Sequence, residues 1–347
     1  MINFKKKKLI ILYNIFFVLI ILLLFELIFG NWLNNKNLGN LYIPINKKKI
    51  IYELPYKSDY PILYTTDKNG FRANKHDLKS IELLIIGGST TEEKLTDDNK
   101  IWTKILEKNS KKIVLNAGIG GQTSFGHVKM FEIWFSKFDD LKPKYILFYI
   151  GINDALFMIE KIKSNNLEKL TNGRIFNSIN RDNLVHINYI DKFYQKFKNN
   201  SALYHLTNII KGNYISYKYK INYGQTKFIN TNSNKNEKLI LSKNEIEMIN
   251  IYGEKYIDNL NRLLDNSNII NSKPIFITQT ISKDHWLYKY LLKINSFTKL
   301  FCKNKNLICI DLASEINLNS NDFYDGIHTN PVGSEKIATF LTNFFKR

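Results

Sequence analysis

Small polar residues that could carry out catalysis follow apolar runs of this chain or lie in a turn near its carboxyl terminus. Ser89 follows the run Leu83–Ile86 and two glycines. A serine hydroxyl is a poor nucleophile until a base removes its proton. Asp325 and His328 lie three positions apart in a turn. In such a turn a carboxylate can orient an imidazole whose other nitrogen faces a serine. These residue types favour acyl transfer through a serine.

Acyl transfer also needs hydrogen-bond donors that stabilise a tetrahedral oxyanion, each of which lowers the barrier by about 3 to 4 kcal/mol. The loop 116–124 is rich in glycine, so its backbone can approach a ligand and present an N–H group, and Gly121 is the predicted donor. Asn153 follows another apolar run and offers a side-chain amide. Together with the Ser89 N–H group, these two donors form the predicted oxyanion hole.

Each motif also has a structural interpretation. The glycine–serine turn can be a helix start without a chemical role, in which Thr90 and Thr91 are expected to cap and Glu92 and Glu93 occupy the first turn. An Asp-x-x-His sequence is by itself more often a capping turn. The catalytic interpretation therefore depends on the motifs occurring together.

Short apolar runs predict the strands that position these motifs. They are Leu83–Ile86, Lys112–Asn116, Tyr145–Ile150, Pro274–Thr278 and Leu307–Leu312. Helical patterns separate them, and Val332–Phe345 closes the chain as an amphipathic helix that Pro331 opens. This alternation is typical of right-handed βαβ units. The predicted fold class is therefore α/β, a three-layer α/β/α domain on a five-stranded parallel sheet.

The four polar motifs resemble the sequence blocks of the SGNH hydrolases, also called the GDSL esterase/lipase family. The blocks are GGST at 87–90, NAGIGGQTS at 116–124, GIND at 151–154 and DGIH at 325–328, in the family's order. The resemblance implies a flavodoxin-like sheet of order 2-1-3-4-5. It also implies a set of roles: Ser89 as nucleophile, Gly121 and Asn153 as oxyanion donors, His328 as general base and Asp325 as its orienting partner.

One position departs from the family's pattern. The aspartate that precedes the serine in the family's eponymous block is Gly88 here. That aspartate is not a catalytic member, so we do not expect the change to abolish activity. Asp154 is usual for the family and is expected to be structural. The sequence leaves open whether His285 and Trp286, after the fourth strand, line the pocket.

The amino terminus resembles a membrane anchor. Four lysines at 5–8 precede Leu9–Phe29, which is apolar apart from Asn14 and Glu26. At about 1.5 Å per residue, this run is long enough to cross a hydrocarbon core of roughly 30 Å. A cleaved signal peptide is the alternative, but no small-residue cleavage pattern follows. Basic residues that flank a membrane helix usually stay on the cytoplasmic side. We therefore expect a cytoplasmic tail at 1–8, an anchor at 9–30 and everything after Trp32 outside.

The rest of the chain divides into a membrane-proximal segment, 31–80, and a catalytic domain, 81–347. A turn at Asp67–Gly70 is expected to leave Phe71 and Arg72 at the surface, and the alternative is that these two residues reach the site. Between about 155 and 244 the regular pattern dissolves, and we expect a mostly helical insertion or lid beside the site. Flexible filler is the alternative, particularly at 226–236.

Composition limits the remaining choices. The net charge is +19, but no nucleic-acid-binding motif accompanies it, so we predict no nucleic-acid partner. Residue-usage bias explains much of this charge, and attraction to an anionic membrane or acidic polysaccharide is the alternative. Cys302 and Cys309 can form a bridge or remain buried free thiols, and nothing around them has metal-ligand spacing. No metal or other cofactor is predicted, and the oligomeric state is left open.

These observations lead to one expected function and three alternatives. The chain is expected to be a membrane-anchored, outward-facing serine esterase that removes short acyl groups, chiefly O-acetyl, from envelope or exported polysaccharide. Its expected partners are an acylated carbohydrate or other ester and the lipid bilayer. The alternatives are an O-acyltransferase of surface glycans, a lysophospholipase or lipase, and a non-catalytic glycan-binding module.

Overall fold

The computed structural model describes residues 4–30, 32, 43, 46–51, 54–58, 61–163, 193, 197, 201–219 and 242–346. The chain forms two compact units. The first comprises Met1–Tyr42 and Asn180–Lys227, and the second comprises Ile43–Ile179 and Phe228–Arg347.

The elements alternate in the second unit as the apolar runs predict. Among the described residues of both units, the α-helices in chain order are α1 (Phe4–Phe29), α2 (Ser89–Glu92), α3 (Trp102–Ser110), α4 (Ser124–Ile133), α5 (Ile152–Lys163), α6 (Ala202–Tyr219), α7 (Lys243–Ile269), α8 (Tyr288–Lys305), α9 (Leu312–Glu315) and α10 (Pro331–Lys346). The strands are β1 (Lys48–Ile51), β2 (Ile62–Thr65), β3 (Leu83–Gly87), β4 (Val114–Gly118), β5 (Tyr145–Tyr149), β6 (Lys273–Ile277) and β7 (Ile308–Ile310).

The central sheet contains β3 to β7, all parallel, in the spatial order β4-β3-β5-β6-β7. Counted from β3, this order is 2-1-3-4-5. Gly87 at the end of β3 pairs with Gly118 of β4 and with Tyr149 of β5. The loops that follow these three strands therefore leave the sheet at one edge. The predicted five-stranded parallel sheet is confirmed.

Helices cover both faces of the sheet because successive side chains of a strand point to opposite sides. Leu83 and Ile85 belong to one buried cluster that includes Trp102 of α3 and Leu341 of α10. On the other face, the ring of Phe148 packs against Phe131 of α4 and Phe276 of β6, and Phe276 packs against Phe301 of α8. The three-layer architecture is thus fixed by two separate sets of apolar side chains.

A two-stranded antiparallel sheet of β1 and β2 is attached to this domain. The Leu63 N–H group donates to Asp97 at 2.9 Å, and the Thr65 N–H group donates to Asp98 at 3.1 Å. Asp97 and Asp98 lie in the loop between α2 and α3. The small sheet is therefore held by the segment that follows Ser89.

The expected surface position of Phe71 and Arg72 is wrong. The turn itself forms, since the N–H groups of Asn69 and Phe71 both donate to the Asp67 carboxylate. Phe71 and Arg72 are nevertheless 0% and 3% exposed. The Phe71 ring stacks on Trp134 at 4.6 Å, and the Arg72 N–H group donates to the Asn116 carbonyl at 3.0 Å. Contacts with distant segments bury a pair that the local turn leaves exposed.

The first unit contains one helix that is long and apolar enough to cross a membrane. It covers Lys6–Phe29, 24 residues with a mean hydropathy of 2.8, and none of its most apolar window is buried. This helix matches a membrane span in length and composition only, so the anchor and its orientation stay predictions.

Most of the described residues in the predicted insertion at 155–244 are helical. The insertion includes most of α5, all of α6 and the first two residues of α7. The stretch at 226–236, for which flexible filler was the alternative, lies outside the described residues. Cys302 and Cys309 are free thiols, the first buried and the second partly buried.

Candidate active site

Ser89 is the first residue of α2, directly after β3 and Gly88. The helix has four residues and ends at Glu92, and the following residue, Glu93, has a left-handed φ of 46°. Gly88 is its N-cap, and no side chain caps it. The expected caps, Thr90 and Thr91, are therefore wrong, because the Thr90 hydroxyl instead accepts a hydrogen bond from Gln279 at 3.0 Å. This sharp turn leaves Ser89 only partly buried at the edge of the sheet.

The structure brings Ser89, His328 and Asp325 into one hydrogen-bonded chain. His328 Nε2 lies 2.7 Å from Ser89 Oγ, and His328 Nδ1 lies 2.7 Å from Asp325 Oδ2. Asp325 Oδ1 also accepts the backbone N–H groups of His328 and Ile327, at 2.7 and 2.9 Å. The Asp-x-x-His turn therefore fixes the imidazole from both its ring and its backbone.

The electrostatics of this turn favour an ionised Asp325. Burial alone raises the pKa of a carboxyl group, but the hydrogen bonds from the His328 ring and from the two backbone N–H groups outweigh it. The pKa of Asp325 is consequently below its usual range. The Tyr324 ring stacks on the His328 ring at 5.5 Å with an interplanar angle of 10°, which restricts rotation of the imidazole.

The loop that follows β4 lies against α2. The Gly120 N–H group donates to the Glu92 carboxylate at 3.0 Å, and the Tyr64 hydroxyl donates to the other oxygen at 3.0 Å. A Cβ atom added at Gly120 would lie 3.6 Å from Ser89 Cβ. Gly121, the predicted oxyanion donor, is the next residue and has a left-handed φ of 80°, which favours glycine. The geometry thus brings this loop to the serine.

Asn153 lies close to Gly88, the residue before Ser89. It lies in the first turn of α5 and is 6% exposed. A Cβ atom added at Gly88 would lie 2.5 Å from Asn153 Nδ2, so the amide nitrogen lies directly against the residue before Ser89. In this structure, a side chain at position 88 would therefore meet the Asn153 amide. The oxyanion roles of Gly121 and Asn153 stay predictions.

Asp154 links the two loops that carry these predicted donors. Its carboxylate accepts the N–H group of Ser124 at 2.9 Å, the hydroxyl of Ser124 at 2.6 Å and the hydroxyl of Tyr252 at 2.9 Å. The Asn259 amide donates to the Ser124 hydroxyl at 2.9 Å and extends the buried network. Burial raises the pKa of Asp154 to about 6, with these hydrogen bonds opposing the shift. The contacts agree with the structural role expected of Asp154.

Glu93 is a buried acid whose role the sequence did not show. Its carboxylate accepts hydrogen bonds from the backbone N–H group of Trp102 at 2.6 Å and from the Thr329 hydroxyl at 3.4 Å. It also accepts one from the Ser334 hydroxyl. It therefore connects the end of the turn that carries Ser89 to the residue after His328. Burial raises the pKa of Glu93 to about 8. The expected place of Glu93 in the first helical turn is wrong, because the helix ends before it.

Arg72 holds the loop that follows α2. Its guanidinium forms a buried ion pair with Asp98 and donates to the carbonyls of Glu92 and Thr96, at 3.1 and 2.9 Å. The same group lies over the Tyr64 ring, 4.2 Å from the centroid. An arginine directly after a turn gave no sequence signal for this buried position.

Gln279 is a third residue whose role the sequence did not show. It follows β6 and is 1% exposed. Its carbonyl oxygen accepts the Ile152 N–H group at 2.5 Å, and its amide donates to Thr90 Oγ1 and to the Tyr149 carbonyl, both at 3.0 Å. One side chain therefore ties the start of α5 to the residue after Ser89. A polar residue at the carboxyl end of a buried strand was the available signal.

His285 lies against the Asp325–His328 turn. A Cβ atom added at Gly326 would lie 2.9 Å from the His285 ring, and the Ser282 N–H group donates to the Gly326 carbonyl at 2.8 Å. Burial lowers the pKa of His285, and the charge of Asp325 opposes this shift. The loop after β6 thus borders the site through His285. In the described ranges of the chain, no cluster of His, Cys, Asp or Glu side chains has the arrangement of a metal site.

Comparisons with known proteins find similar solved structures only. No family model matches the chain, and no curated protein matches its sequence. A GDSL-like lipase from Bacteroides thetaiotaomicron is 11% identical, with a TM-score of 0.41, over 79% of this chain and 91% of that one. A catalytic mutant of an acetylxylan esterase from Geobacillus stearothermophilus is 13% identical, with a TM-score of 0.43, over 76% and 94%.

A member of the lipolytic G-D-S-L family from Veillonella parvula is 13% identical, with a TM-score of 0.42, over 77% of this chain and 99% of that one. The family that the four sequence blocks resemble is thus also named for two of these three structures. At these values the likenesses assign no activity to this chain, whose chemistry follows from its own side chains.

Proposed function

We propose that this chain is a serine carboxylic-ester hydrolase that acts through an acyl-serine intermediate. The observation that carries the proposal is the chain of two 2.7 Å contacts that joins Ser89 Oγ to His328 and His328 to Asp325. A serine, an imidazole and an ionised carboxylate in this order make up an activated nucleophile.

The proposed reaction begins when His328 Nε2 takes the proton of Ser89 Oγ as the oxygen attacks the ester carbonyl. Asp325 accepts the Nδ1–H group and stabilises the imidazolium that forms. The carbonyl oxygen becomes an oxyanion that the Ser89 N–H, the Gly121 N–H and the Asn153 amide stabilise. His328 then gives its proton to the leaving alkoxide, and the acyl group remains on Ser89.

Deacylation repeats these steps with water as the nucleophile. His328 takes a proton from water, the hydroxide attacks the acyl-serine, and Ser89 Oγ leaves with the proton that His328 returns. The products are the free acid and the alcohol. A sugar hydroxyl in place of that water would make the enzyme an acyltransferase, so the fate of the acyl group separates the two reactions.

The proposed substrate is a short acyl ester, chiefly O-acetyl, on an envelope or exported polysaccharide. Three features support this choice. The four blocks resemble an esterase family, and the N-terminal helix is long enough to anchor the enzyme with its catalytic domain outside. The net charge of +19 also favours attraction to an acidic polymer.

The test measures acid release by the full chain in detergent micelles, from p-nitrophenyl esters of increasing acyl length and from acetylated xylan. Ser89→Ala and His328→Ala are run alongside, with circular dichroism as the folding control. We expect release from acetyl esters that both variants abolish. Equal turnover by Ser89→Ala would end the proposal, and a preference for long acyl chains would replace the acetyl substrate with a lipid one.

A further inference from the structure

The acidic residue of the apolar helix α1 holds the start of helix α6. The Glu26 carboxylate accepts the backbone N–H groups of Ala202 and Leu203, at 2.9 and 3.1 Å, and the Ser201 hydroxyl at 2.6 Å. It also accepts the Trp32 indole N–H group at 2.7 Å. A carboxylate is favourable at a helix N-terminus, where backbone N–H groups have no partner within the helix. These bonds therefore fix the start of α6 beside the last turn of α1.

This contact places the first turn of α6 at the boundary of the proposed membrane span. Glu26 is three residues from the end of α1, about 5 Å along the axis at 1.5 Å per residue. An ionised side chain in a membrane helix is costly unless it is paired or close to the boundary. Trp32 and Tyr204 lie close to Phe197, with ring centroids at 6.4 and 6.2 Å from it. Tryptophan and tyrosine are enriched at this level of a bilayer.

Helix α6 does not run along α1. From Lys6 to Phe29, only Phe25 and Glu26 are partly buried, and the preceding turns are exposed, with Ile20 and Leu22 at 37% and 38% and Leu23 and Leu24 at 60% and 50%. A helix packed antiparallel to α1 would cover several of these turns. The described contacts therefore join α6 to α1 at one point, the capped N-terminus.

An exposed apolar stripe runs along α6. Its members are Leu206, Ile210, Tyr214 and Tyr217, with exposures of 41%, 60%, 66% and 87%. Spacings of four, four and three residues place them within an arc of about 80° on one face. The helix contains no acidic residue, and Lys211 lies off the stripe and is exposed. An apolar face with basic residues beside it is typical of helices that lie in a membrane surface.

From these contacts we infer that α6 is a second membrane-binding element. It lies parallel to the membrane at the outward-facing surface, with its Leu206–Tyr217 stripe in the acyl chains. The inference rests on the proposed anchor. Continuity with α1 identifies the bilayer as the partner, because Glu26 fixes the start of the stripe at the level where the anchor leaves the membrane.

The test uses nitroxide labels on the full chain in vesicles of phosphatidylcholine and phosphatidylglycerol. Cys302 and Cys309 are first replaced by alanine, and cysteine is then introduced by Leu206→Cys, Ile210→Cys or Tyr214→Cys. Lys211→Cys is the matched control on the same helix, and Leu19→Cys reports on the anchor. Collisions with oxygen, which dissolves in lipid, are compared with those of a water-soluble nickel chelate.

We expect oxygen to be favoured over the chelate several-fold more at the three stripe positions than at Lys211. Equal chelate access at the stripe and at Lys211 overturns the inference, as does exclusion of both reagents, which would mean that protein covers the stripe. Chelate access at Leu19 overturns the anchor and the inference with it, while the esterase proposal stands independently.

If the cysteine-free protein does not fold, p-benzoylphenylalanine introduced at the same positions of the native chain gives the same distinction. Crosslinks to lipid at the stripe, absent at Lys211, support the inference. Crosslinks to protein alone, or lipid crosslinks at every position, overturn it.

Discussion

The Asp154 carboxylate accepts both the backbone N–H group and the hydroxyl of Ser124, at 2.9 and 2.6 Å. Ser124 ends the glycine-rich loop that contains Gly121, and Asp154 follows Asn153. One buried carboxylate therefore sets the separation of the two segments that carry the predicted oxyanion donors. We expect its effect on catalysis to be indirect, because none of the described contacts of Asp154 involves Ser89.

Replacing Asp154 by asparagine should lower kcat more than it changes KM, because oxyanion donors act mainly in the transition state. We expect a loss of roughly 10- to 100-fold, the equivalent of about 1.4 to 2.7 kcal/mol. Steady-state kinetics of Asp154→Asn, with Ser124→Ala as a second variant of the same contact, measure it. Asp265→Asn is the exposed control. Wild-type kcat in folded Asp154→Asn protein would contradict the prediction.

Glu93 should make the folded state less stable as the pH rises. Burial raises its pKa to about 8 from the ordinary value of 4.5. The folded chain therefore binds this proton more tightly than the unfolded chain, and the stabilisation is complete below about pH 4.5 and lost as the pH rises through 8. Glu93→Gln mimics the protonated acid, and its amide can still donate to Ser334 while its oxygen accepts from Trp102.

The expected result is that Glu93→Gln flattens the decrease in unfolding free energy between pH 4.5 and 8. Urea unfolding of both proteins at several pH values measures the difference. Glu335→Gln, an exposed neighbour of Ser334, should leave the slope unchanged. Parallel curves for wild-type protein and Glu93→Gln would show that this carboxyl does not titrate in the window.

A side chain at position 88 should act through Asn153. In Gly88→Ala the added Cβ atom would lie 2.5 Å from Asn153 Nδ2, so the amide must move. We expect kcat to fall toward the value of Asn153→Ala, which should lose about 100- to 1,000-fold as other oxyanion donors do when removed. Kinetics of both single variants and of the double variant form a thermodynamic cycle.

If the alanine at 88 acts by displacing the amide, the double variant should be no slower than Asn153→Ala. Losses that multiply would instead show that Gly88→Ala damages the site by another route, such as a shift of the Ser89 backbone.

The Arg72–Asp98 ion pair should matter for stability because both groups are largely buried. Arg72→Leu leaves the Asp98 carboxylate without its cationic partner, and loss of one partner of a buried pair costs about 3 to 5 kcal/mol. Lys299→Leu breaks the exposed pair with Asp311 and should cost at most about 1 kcal/mol. Urea unfolding compares the two, and similar midpoints for both variants would refute the expected difference.

The strands and the site motifs could be predicted because their signals are local. Leu83–Ile86 is a run of four apolar residues, and such a run is stable only where both faces are covered. The ends were less certain, since β4 begins at Val114 and extends to Gly118 beyond the predicted Asn116. Strand ends depend on pairing with neighbours, which a single run does not show.

The supporting residues could not be predicted because their partners are far away in the sequence. Arg72 contacts the segment 92–98, and Gln279 contacts Thr90, 189 positions away. The sequence predicts Glu93 in the first turn of a helix, but that helix ends at Glu92. The burial of such side chains depends on the packed fold. The predicted nucleophile and base, by contrast, can be recognised from their residue types.

The attachment of β2 to the loop after α2 limits how far the chain can be shortened from its amino terminus. A truncation at Ile81 would remove Leu63 and Thr65, whose N–H groups donate to Asp97 and Asp98, and would remove Arg72 as well. The two carboxylates would then lose these partners in the loop that follows Ser89 and α2. A version of the protein without the predicted anchor should therefore keep β1 and β2, which begin at Lys48.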